Sequence, residues 1–491
     1  MKLTKLLDGI VSVSSVHIDG VDIKGITLDS RKVKKGYVFI ALTGALEHGL
    51  NYVQQAVEQG AEFVIYDQSG SGAFDLNNLN CSRLAVNGLA LKLGALADRF
   101  YQSPSKALDV IGITGTNGKT TCSQFLLQLI SDCGVIGTLG WGGIEGIKET
   151  VNTTPDALTV QEILADFVKQ KKQTVVMEVS SHGLQQGRVN EVCFKGAVFT
   201  NLSRDHLDYH GTMKEYLNAK VALFQQPDLQ YVVVNADDEN CEQFLAVTEK
   251  QVKRWAFSTK GNISNSAENI MADEIDFSLS GMSFFVKWQG QRVKVLSRIV
   301  GDFNLENILA VMTVLLAEGY ALKDVANKIG ALQPVSGRME AFGGGDKPYV
   351  FVDYAHTPDA LEKLLKGLRR YTEKTLCLVF GCGGDRDKGK RAQMGAVAES
   401  FSDQQMITND NPRLENPEQI INDIVSGCLN QTYKVIQNRE KAIQTVIKKA
   451  DKNDCIVIAG KGHEKYQDIN GIKQYFCDQD VVKKALMEWG G

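Results

Sequence analysis

Residues Gly115-Thr116-Asn117-Gly118-Lys119-Thr120-Thr121 decide how the chain is read. An apolar run, 107–113, precedes them, and an amphipathic helical pattern, 119–133, follows. A glycine-rich loop between a strand and a helix lets backbone N–H groups curl around phosphate oxygens, and the helix adds its positive N-terminal end. In that setting Lys119 is expected to reach the β- and γ-phosphates of ATP and the Thr120 hydroxyl to ligate Mg²⁺. Gly115, Thr116, Asn117, Gly118 and Thr121 complete the ATP-binding loop. The strict pattern GxxxxGK[ST] fails by one position: Ile113 stands where its first glycine belongs, and Gly112 precedes it. A phosphate loop names a nucleoside triphosphate and no more, since motors, switches, kinases and ligases all carry one.

The loop lies in the second of three blocks. The first runs to about residue 85, with strand-like runs at 37–42 and 63–66 around an amphipathic segment, 52–59. The second, to 336, adds a helix at 89–101 and apolar strands at 174–179, 195–200 and 230–235. Strands alternating with helices argue for a mostly parallel sheet covered on both faces. Residues 258–300 instead alternate as short strands, an antiparallel edge or side sheet. From 337, runs at 349–353, 375–381, 405–408 and 454–459 alternate with helical patterns, which predicts a doubly wound, Rossmann-like domain. The expected architecture is α/β in three domains, 1–85, 86–336 and 337–491.

Composition sets the bounds. A chain of 491 residues exceeds one hydrophobic core. Its 43% hydrophobic and 23% charged residues are ordinary for a soluble protein, and a net charge of −4 advertises neither nucleic acid nor an anionic membrane. No apolar run approaches the roughly 20 residues of a spanning helix. The start, Met1 to Asp8, carries two lysines but no apolar core of a signal peptide. Ten scattered cysteines with no CxxC pair read as reduced thiols, so a cytoplasmic protein is expected.

Metal chemistry has candidates near the loop. Glu178 ends the run 174–179, where a neighbouring strand would offer Mg²⁺ an oxygen. Asp205, His206, Asp208 and His210 fall within six residues of a chain holding only seven histidines. His206 is the candidate for a metal or phosphate role, against a loop histidine in a hydrogen bond. Next comes a helical stripe of Met213, Leu217, Lys220 and Phe224, whose one charged member is Lys220. Such a lysine ordinarily packs its stem and carries its ammonium outward. A desolvated lysine has a depressed pKa, and its neutral amine can capture CO₂ as a carbamate, an anionic oxygen ligand.

In order along the chain stand TGTNGKT, EVSSH at 178–182, and TNLSRDHLDYHG at 200–211. Gly301-Asp302-Phe303-Asn304-Leu305-Glu306-Asn307, Gly337-Arg338-Met339-Glu340 and Asp353-Tyr354-Ala355-His356-Thr357-Pro358 follow. This ordered set, covering nearly the whole chain, resembles the Mur ligase family, which builds the peptide of bacterial peptidoglycan and so serves cell-wall biogenesis, cell shape and division. The resemblance implies an N-terminal UDP-binding domain, a central ATPase and a C-terminal Rossmann-like domain. It favours Lys220 as N6-carboxylysine, a metal ligand or its positioner beside Glu178 and His206. It places Asn304 and Asn307 at the adenine, Arg338 at the phosphates, Asp353 at the ribose and His356 near the nucleotide.

Finer resemblance points to the branch that adds the third peptide residue. Ser30, in Asp29-Ser30-Arg31, and His48 fall in its UDP-binding segment. Asn152, Thr153 and Thr154 resemble its loop at the muramoyl dipeptide, with Ser180, Gln186 and Arg188 at the same substrate. Asp410-Asn411-Pro412-Arg413 resembles the signature of the members that take meso-diaminopimelate. That amino acid ends in a carboxylate and an ammonium, where lysine has the ammonium alone. The fork of Arg413 can clamp the carboxylate, with Asn411 and Arg386 as further contacts. Gly460 and Glu464 are implied at the ammonium. The alternative for this signature is a turn with a solvated arginine. Three positions depart from the family pattern: Ser336 and Ala392 stand for prolines, and Asn438 for an aspartate.

The resemblance thus implies an ADP-forming amide ligase, with Mg²⁺ and ATP, acting on UDP-N-acetylmuramoyl-L-alanyl-D-glutamate and diaminopimelate through an acyl phosphate. Reactants on separate domains imply closure before chemistry. A monomer without nucleic-acid or membrane partners is expected. Rival readings are a lysine-adding or folate-type ligase, a phosphate-loop switch without ligation, and an oxidoreductase suggested by Gly381-Cys382-Gly383-Gly384, which lacks the GxGxxG spacing.

Overall fold

The computed structural model describes residues 1–11, 18, 20–44, 47–77, 79–430 and 432–490. The chain divides into two compact units, Met1–Ala256 with Ser264–Glu268, and Phe257–Ile263 with Asn269–Gly491.

The first unit holds two sheets. Gly25–Thr27, Tyr37–Ala41, Ala61–Asp67 and Ser82–Val86 lie in sequence order, all parallel. Helix Leu89–Tyr101 covers this sheet with Leu89, Leu93 and Leu96, which share one helical face and join Val38, Ile40, Phe63 and Ile65 in a buried cluster.

The second sheet of that unit positions the phosphate loop. Its parallel strands run in the order Tyr231–Asn235, Phe194–Phe199, Asp109–Thr114, Thr174–Glu178, Cys133–Gly137. Val110, Ile111, Val175, Val176 and Ala197 are 0% exposed, because helices on both faces leave these strands no solvent side. The loop therefore leaves the central strand between the ends of Thr174–Glu178 and Phe194–Phe199, where ligands bind in open α/β sheets. Two short antiparallel strands, Gly140–Gly143 and Gly146–Lys148, extend the edge.

The predicted helix 119–133 is corrected. It ends at Leu129, and Cys133 opens a strand. Asp132, in the left-handed region at φ 51°, turns the chain, so a run of apolar residues that continues the helical pattern feeds the sheet instead. Helix Ala157–Lys169, capped by Asp156 accepting from Thr159 N at 3.0 Å, was not read from the sequence.

In the second unit, Glu268–Ser278, Gly281–Trp288 and Gln291–Ser297 form an antiparallel meander. The antiparallel expectation holds, but the strands are long, the first of 11 residues, not short. Helix Asp302–Ala317 follows, with Leu305, Ile308, Leu309, Met312 and Leu315 all buried. The C-terminal sheet runs Glu340–Gly343, Tyr349–Asp353, Cys455–Ala459, Leu376–Phe380, Gln404–Ile407, Tyr433–Val435, parallel except at its first pair. Cys455–Ala459 comes last of these in sequence yet sits between Tyr349–Asp353 and Leu376–Phe380. That insertion creates the switch point at whose carboxyl side residues 353–356, 381–386, 410–413 and 460–464 gather. Asn438 accepts from Lys441 N at 2.8 Å and caps helix Arg439–Lys449, a position where an amide oxygen serves as well as a carboxylate.

Candidate active site

The phosphate loop is fixed by the turn after Phe194–Phe199. Thr116 N donates to Asn201 O at 2.8 Å and Asn117 N to Asn201 Oδ1 at 3.0 Å. Thr200 Oγ1 donates to Asn117 O at 2.6 Å. Helix Lys119–Leu129 has no side-chain cap, which leaves first-turn N–H groups for a ligand. Lys119 Nζ lies along the loop, donating to Gly115 O at 2.7 Å and Thr116 O at 2.9 Å.

Glu178 is 0% exposed at the end of its strand. Its Oε2 accepts from Thr120 Oγ1 and from Thr138 Oγ1, both at 2.9 Å. Its Oε1 accepts from Thr138 N at 3.0 Å and Ser123 Oγ at 3.3 Å. A buried carboxylate satisfied by hydroxyls beside a phosphate loop fits a hard cation that shares its oxygens with substrate phosphates and water. Among the described residues no group of three or more His, Cys, Asp or Glu forms a protein-only metal cage. The donor set fits Mg²⁺ held jointly with a nucleotide. Thr138 and Ser123 were missed by the sequence reading; only their contact with Glu178 reveals them.

Lys220 is 1% exposed, which removes the reading in which its ammonium reaches solvent. Its Nζ donates to Gly115 O at 2.8 Å and sits 4.4 Å from the Tyr216 ring centroid. Burial first, then the charge of Lys119, hold its pKa well below the ordinary lysine value. Both lysines therefore converge on one carbonyl, and the neutral amine that CO₂ capture needs is favoured. Tyr216 hydrogen-bonds Thr116 Oγ1 at 3.1 Å, tying the helix of Lys220 to the loop.

His206 sits in the left-handed region at φ 53°, with its N–H donating to Asp205 Oδ1 at 2.8 Å. Burial lowers its pKa against the pull of Asp205, and Lys119 and Lys220 add to the lowering. The ring lies 5.0 Å from His182, which is itself 5.3 Å from His210. Burial and the neighbouring histidines push His182 down to about 4. Burial thus favours the neutral form of all three rings.

The muramoyl-dipeptide candidates form one network. Thr153 Oγ1 lies 3.0 Å from Thr138 Oγ1. Thr154 Oγ1 donates to Glu178 O at 2.8 Å and accepts from Ser180 N at 3.0 Å. Arg188 Nη1 donates to Thr154 O at 2.8 Å, and Arg188 Nη2 to Gln186 Oε1 at 2.6 Å. Asn152 borders an adjoining cleft of about 1110 Å³, together with Asp29, Arg31, Lys32, Trp141 and Lys148. Ser30 and His48 do not line it. Ser30 Oγ donates to Gln55 Oε1 at 2.7 Å, while His48 accepts from Leu50 N at 3.0 Å and holds Asp67 O at 3.2 Å.

In the second unit, Asp353 accepts from Met339 N and Ala355 N, both at 2.8 Å, and burial raises its pKa. The Arg338 guanidinium lies 4.9 Å from the Tyr354 ring, which is flanked by His356 at 4.7 Å and His463 at 5.2 Å. Asn304 donates to Val300 O at 2.7 Å, and Asn307 to Asn304 Oδ1 at 3.1 Å.

The 410–413 segment is no simple solvated turn. Asn411 is 2% exposed, and its Nδ2 donates to Glu464 Oε2 at 2.8 Å. Arg413, left-handed at φ 52°, donates through Nη1 to Gly384 O at 2.6 Å. A Cβ on Gly383 would stand 2.9 Å from Arg413 Nη1 and 3.8 Å from Arg386 Cγ, so both arginines border one space. Gly460 adjoins Asp410, whose Oδ2 lies 2.8 Å from its would-be Cβ; Pro412 O packs against Gly384. Behind them Arg391, 0% exposed, donates to Glu415 at 2.9 and 2.7 Å and to Asp423 at 2.9 Å. Arg391 and the buried Lys461 were not read from the sequence: Glu415 lies 24 residues from Arg391 and Asn411 50 from Lys461, and the near partner Glu464 does not by itself reveal that Lys461 is buried.

Three family descriptions match the chain: the Mur ligase family catalytic domain at 22–101, the Mur ligase middle domain at 113–315, and the Mur ligase glutamate ligase domain at 337–462. The UDP-N-acetylmuramoyl-L-alanyl-D-glutamate--2,6-diaminopimelate ligase of Ectopseudomonas mendocina is 44% identical over 476 residues, 96% of each chain. That of Pseudomonas aeruginosa is 43% identical over 472 residues, 95% of this chain and 96% of its own. A solved structure of a ligase of the same name superposes with a TM-score of 0.70 at 35% identity, covering 99% of both chains. Family matches across most of the sequence, and relatives this similar over nearly its full length, show that the chain belongs to the Mur ligase family.

Proposed function

We propose that the chain is an ATP-dependent, ADP-forming amide ligase of peptidoglycan precursor synthesis that joins meso-2,6-diaminopimelate to UDP-N-acetylmuramoyl-L-alanyl-D-glutamate. The observation that carries this reading is the second unit's pairing of two arginines at Gly383 with the Asn411–Glu464 contact. Guanidinium forks beside a carboxylate complement a ligand end that bears both a carboxylate and an ammonium. The names of relatives at 40–44% identity support it. Lysine, with no distal carboxylate, leaves the arginines idle; a lysine-adding ligase is the reading in second place.

In this account the D-glutamyl γ-carboxylate attacks the γ-phosphorus of ATP, the bond to the β-phosphate oxygen breaks, and ADP leaves. Lys119 follows the moving charge. Mg²⁺, when bound by Thr120 and Glu178 and at a second position by His206 with carboxylated Lys220, neutralises phosphate charge. Arg188, with Ser180, Gln186 and the 152–154 loop, orients the glutamyl end. The neutral α-amine of diaminopimelate then attacks the acyl phosphate carbon, the C–O bond breaks, and phosphate departs as the amine loses its proton. Asn304, Asn307, Arg338, Asp353 and His356 are assigned to the nucleotide, and Ser30 and His48 to support of the UDP segment. The division of labour follows 1–85, 86–336 and 337–491. Among the described residues no helix is long and apolar enough to cross a membrane, and we place the reaction in the cytoplasm as a monomer's work.

The test is product formation. Incubation with ATP, Mg²⁺, the UDP-dipeptide and diaminopimelate is expected to yield one amide product per ADP, identified by mass. ADP formed without a new amide would contradict the proposal.

A further inference from the structure

Lys461 is 0% exposed, so its ammonium must be satisfied by protein. It donates to Asn411 Oδ1 at 2.9 Å and to Glu464 Oε2 at 2.9 Å. Asn411 Nδ2 closes the triangle on the same Glu464 oxygen at 2.8 Å. Asp468 N, from the hairpin Tyr466–Ile469 and Ile472–Tyr475, donates to Asn411 Oδ1 at 3.1 Å. The hairpin grips the segment elsewhere too: Gln467 Nε2 donates to Asp410 O at 2.8 Å, and Arg413 N to Asp468 O at 2.9 Å.

These bonds set polarity. With Lys461 and Asp468 both donating to its carbonyl, the Asn411 amide has one orientation, and what it can still offer a ligand is an N–H. That edge reads an acceptor, such as a carboxylate. Glu464, with a side chain 19% exposed, keeps its remaining oxygen for a donor, such as an ammonium. One buried cation therefore joins the acceptor-reading group to the donor-reading group at a fixed spacing.

We propose that Lys461 is a positioning residue for the distal end of the amino-acid substrate. It locks Asn411 and Glu464 into a single unit that reads a carboxylate and an ammonium on the same carbon. The inference rests on the diaminopimelate reading of this site. A buried ion pair is a poor source of stability, since desolvation offsets its attraction, which leaves specificity as its use here.

The experiment measures kcat and KM for diaminopimelate and L-lysine in the full-length wild type, Lys461→Met, Lys461→Gln, Glu464→Gln and the Lys461→Met/Glu464→Gln double variant. Lys461→Met is expected to raise KM for diaminopimelate about 10- to 100-fold, as truncation within a buried charge pair does. KM for ATP and for the UDP-dipeptide is expected to stay within about twofold, because those ligands make no use of this unit. The preference for diaminopimelate over lysine is expected to shrink. Glu464→Gln is expected to cost less in the Lys461→Met background than alone, the coupling of groups that act together. If Lys461→Met does not fold, the same cycle with Lys461→Gln decides. Additive losses, or an equal loss for every substrate, would overturn the proposal and leave Lys461 a purely structural residue. A wild type that prefers diaminopimelate while the variant keeps its KM overturns this inference alone; a wild type indifferent to diaminopimelate removes the parent reading as well.

Discussion

Thr120 Oγ1 donates to Glu178 Oε2 at 2.9 Å, joining the first turn of the phosphate-loop helix to the end of the neighbouring strand. The same oxygen accepts from Thr138 Oγ1, so the carboxylate is oriented before any ligand arrives.

Glu178→Gln turns one acceptor oxygen into a donor facing hydroxyls. Phosphate release is expected to fall about 10²- to 10³-fold, the scale seen when one preorganised electrostatic group is removed. Gly137→Ala tests the same group by crowding, since its Cβ would clash with Glu178 Oε1. Chelation of divalent cations is expected to stop turnover, and Mg²⁺ to restore it. Full activity in chelator would contradict the assignment.

Lys220 tests the carbamate. Wild-type protein held in bicarbonate is expected to carry the mass of one CO₂ on the peptide containing Lys220, and depletion of CO₂ to lower activity. Lys220→Arg, which keeps a long side chain with N–H donors but cannot form the carbamate, is expected to lose phosphoryl transfer while still binding ATP. An active Lys220→Arg enzyme would dismiss the modification.

His463 gives a pH signature. Burial first, then Arg338 and Lys461, push its pKa from 6.5 down to about 4. Between those values the unfolded chain binds the proton and the folded one does not. Its term in stability is therefore intact above about pH 6.5 and is lost as pH falls toward about 4, by up to about 3 kcal/mol. Denaturant melts of the second unit's transition at about pH 7 and about pH 5 are expected to differ less in His463→Gln than in wild type. Equal differences would remove the buried neutral imidazole.

Arg391 lies behind the loop at Gly383, its guanidinium shared between Glu415 and Asp423. Arg391→Met leaves Asp423 without its ion-pair partner and Glu415 with only the exposed Lys388 at 3.1 Å, and is expected to cost about 3 kcal/mol, read as an earlier thermal transition. Because Glu415 also accepts from Asp385 N, and Asp385 from Leu414 N, KM for diaminopimelate is expected to rise with it.

Much of this was legible in the sequence because it is local. The phosphate loop, helix Leu89–Tyr101 and the C-terminal strands carry periodicity or turn chemistry within a short window. Glu178 could be singled out because it ends an apolar strand next to a loop that needs a metal ligand. What escaped depends on distance. Thr138 meets Glu178 from 40 residues away, and Lys461 meets Asn411 from 50. The helix predicted through Cys133 failed because periodicity cannot tell a helix's last turn from the start of a buried strand. Lys220 marks the limit of pattern alone. A lone lysine on an apolar stripe more often reaches solvent, and only the fold shows this one 1% exposed against Gly115.

The most direct measurement is a competition: ATP, Mg²⁺ and UDP-N-acetylmuramoyl-L-alanyl-D-glutamate with equal meso-diaminopimelate and L-lysine, products separated by mass, in wild type and Arg413→Met. Wild type is expected to form the diaminopimelate product nearly alone, and Arg413→Met to lose that preference by about 10- to 100-fold, the worth of a charge-assisted clamp. Equal use of both amines by wild type, or a preference unmoved by Arg413→Met, would contradict the account.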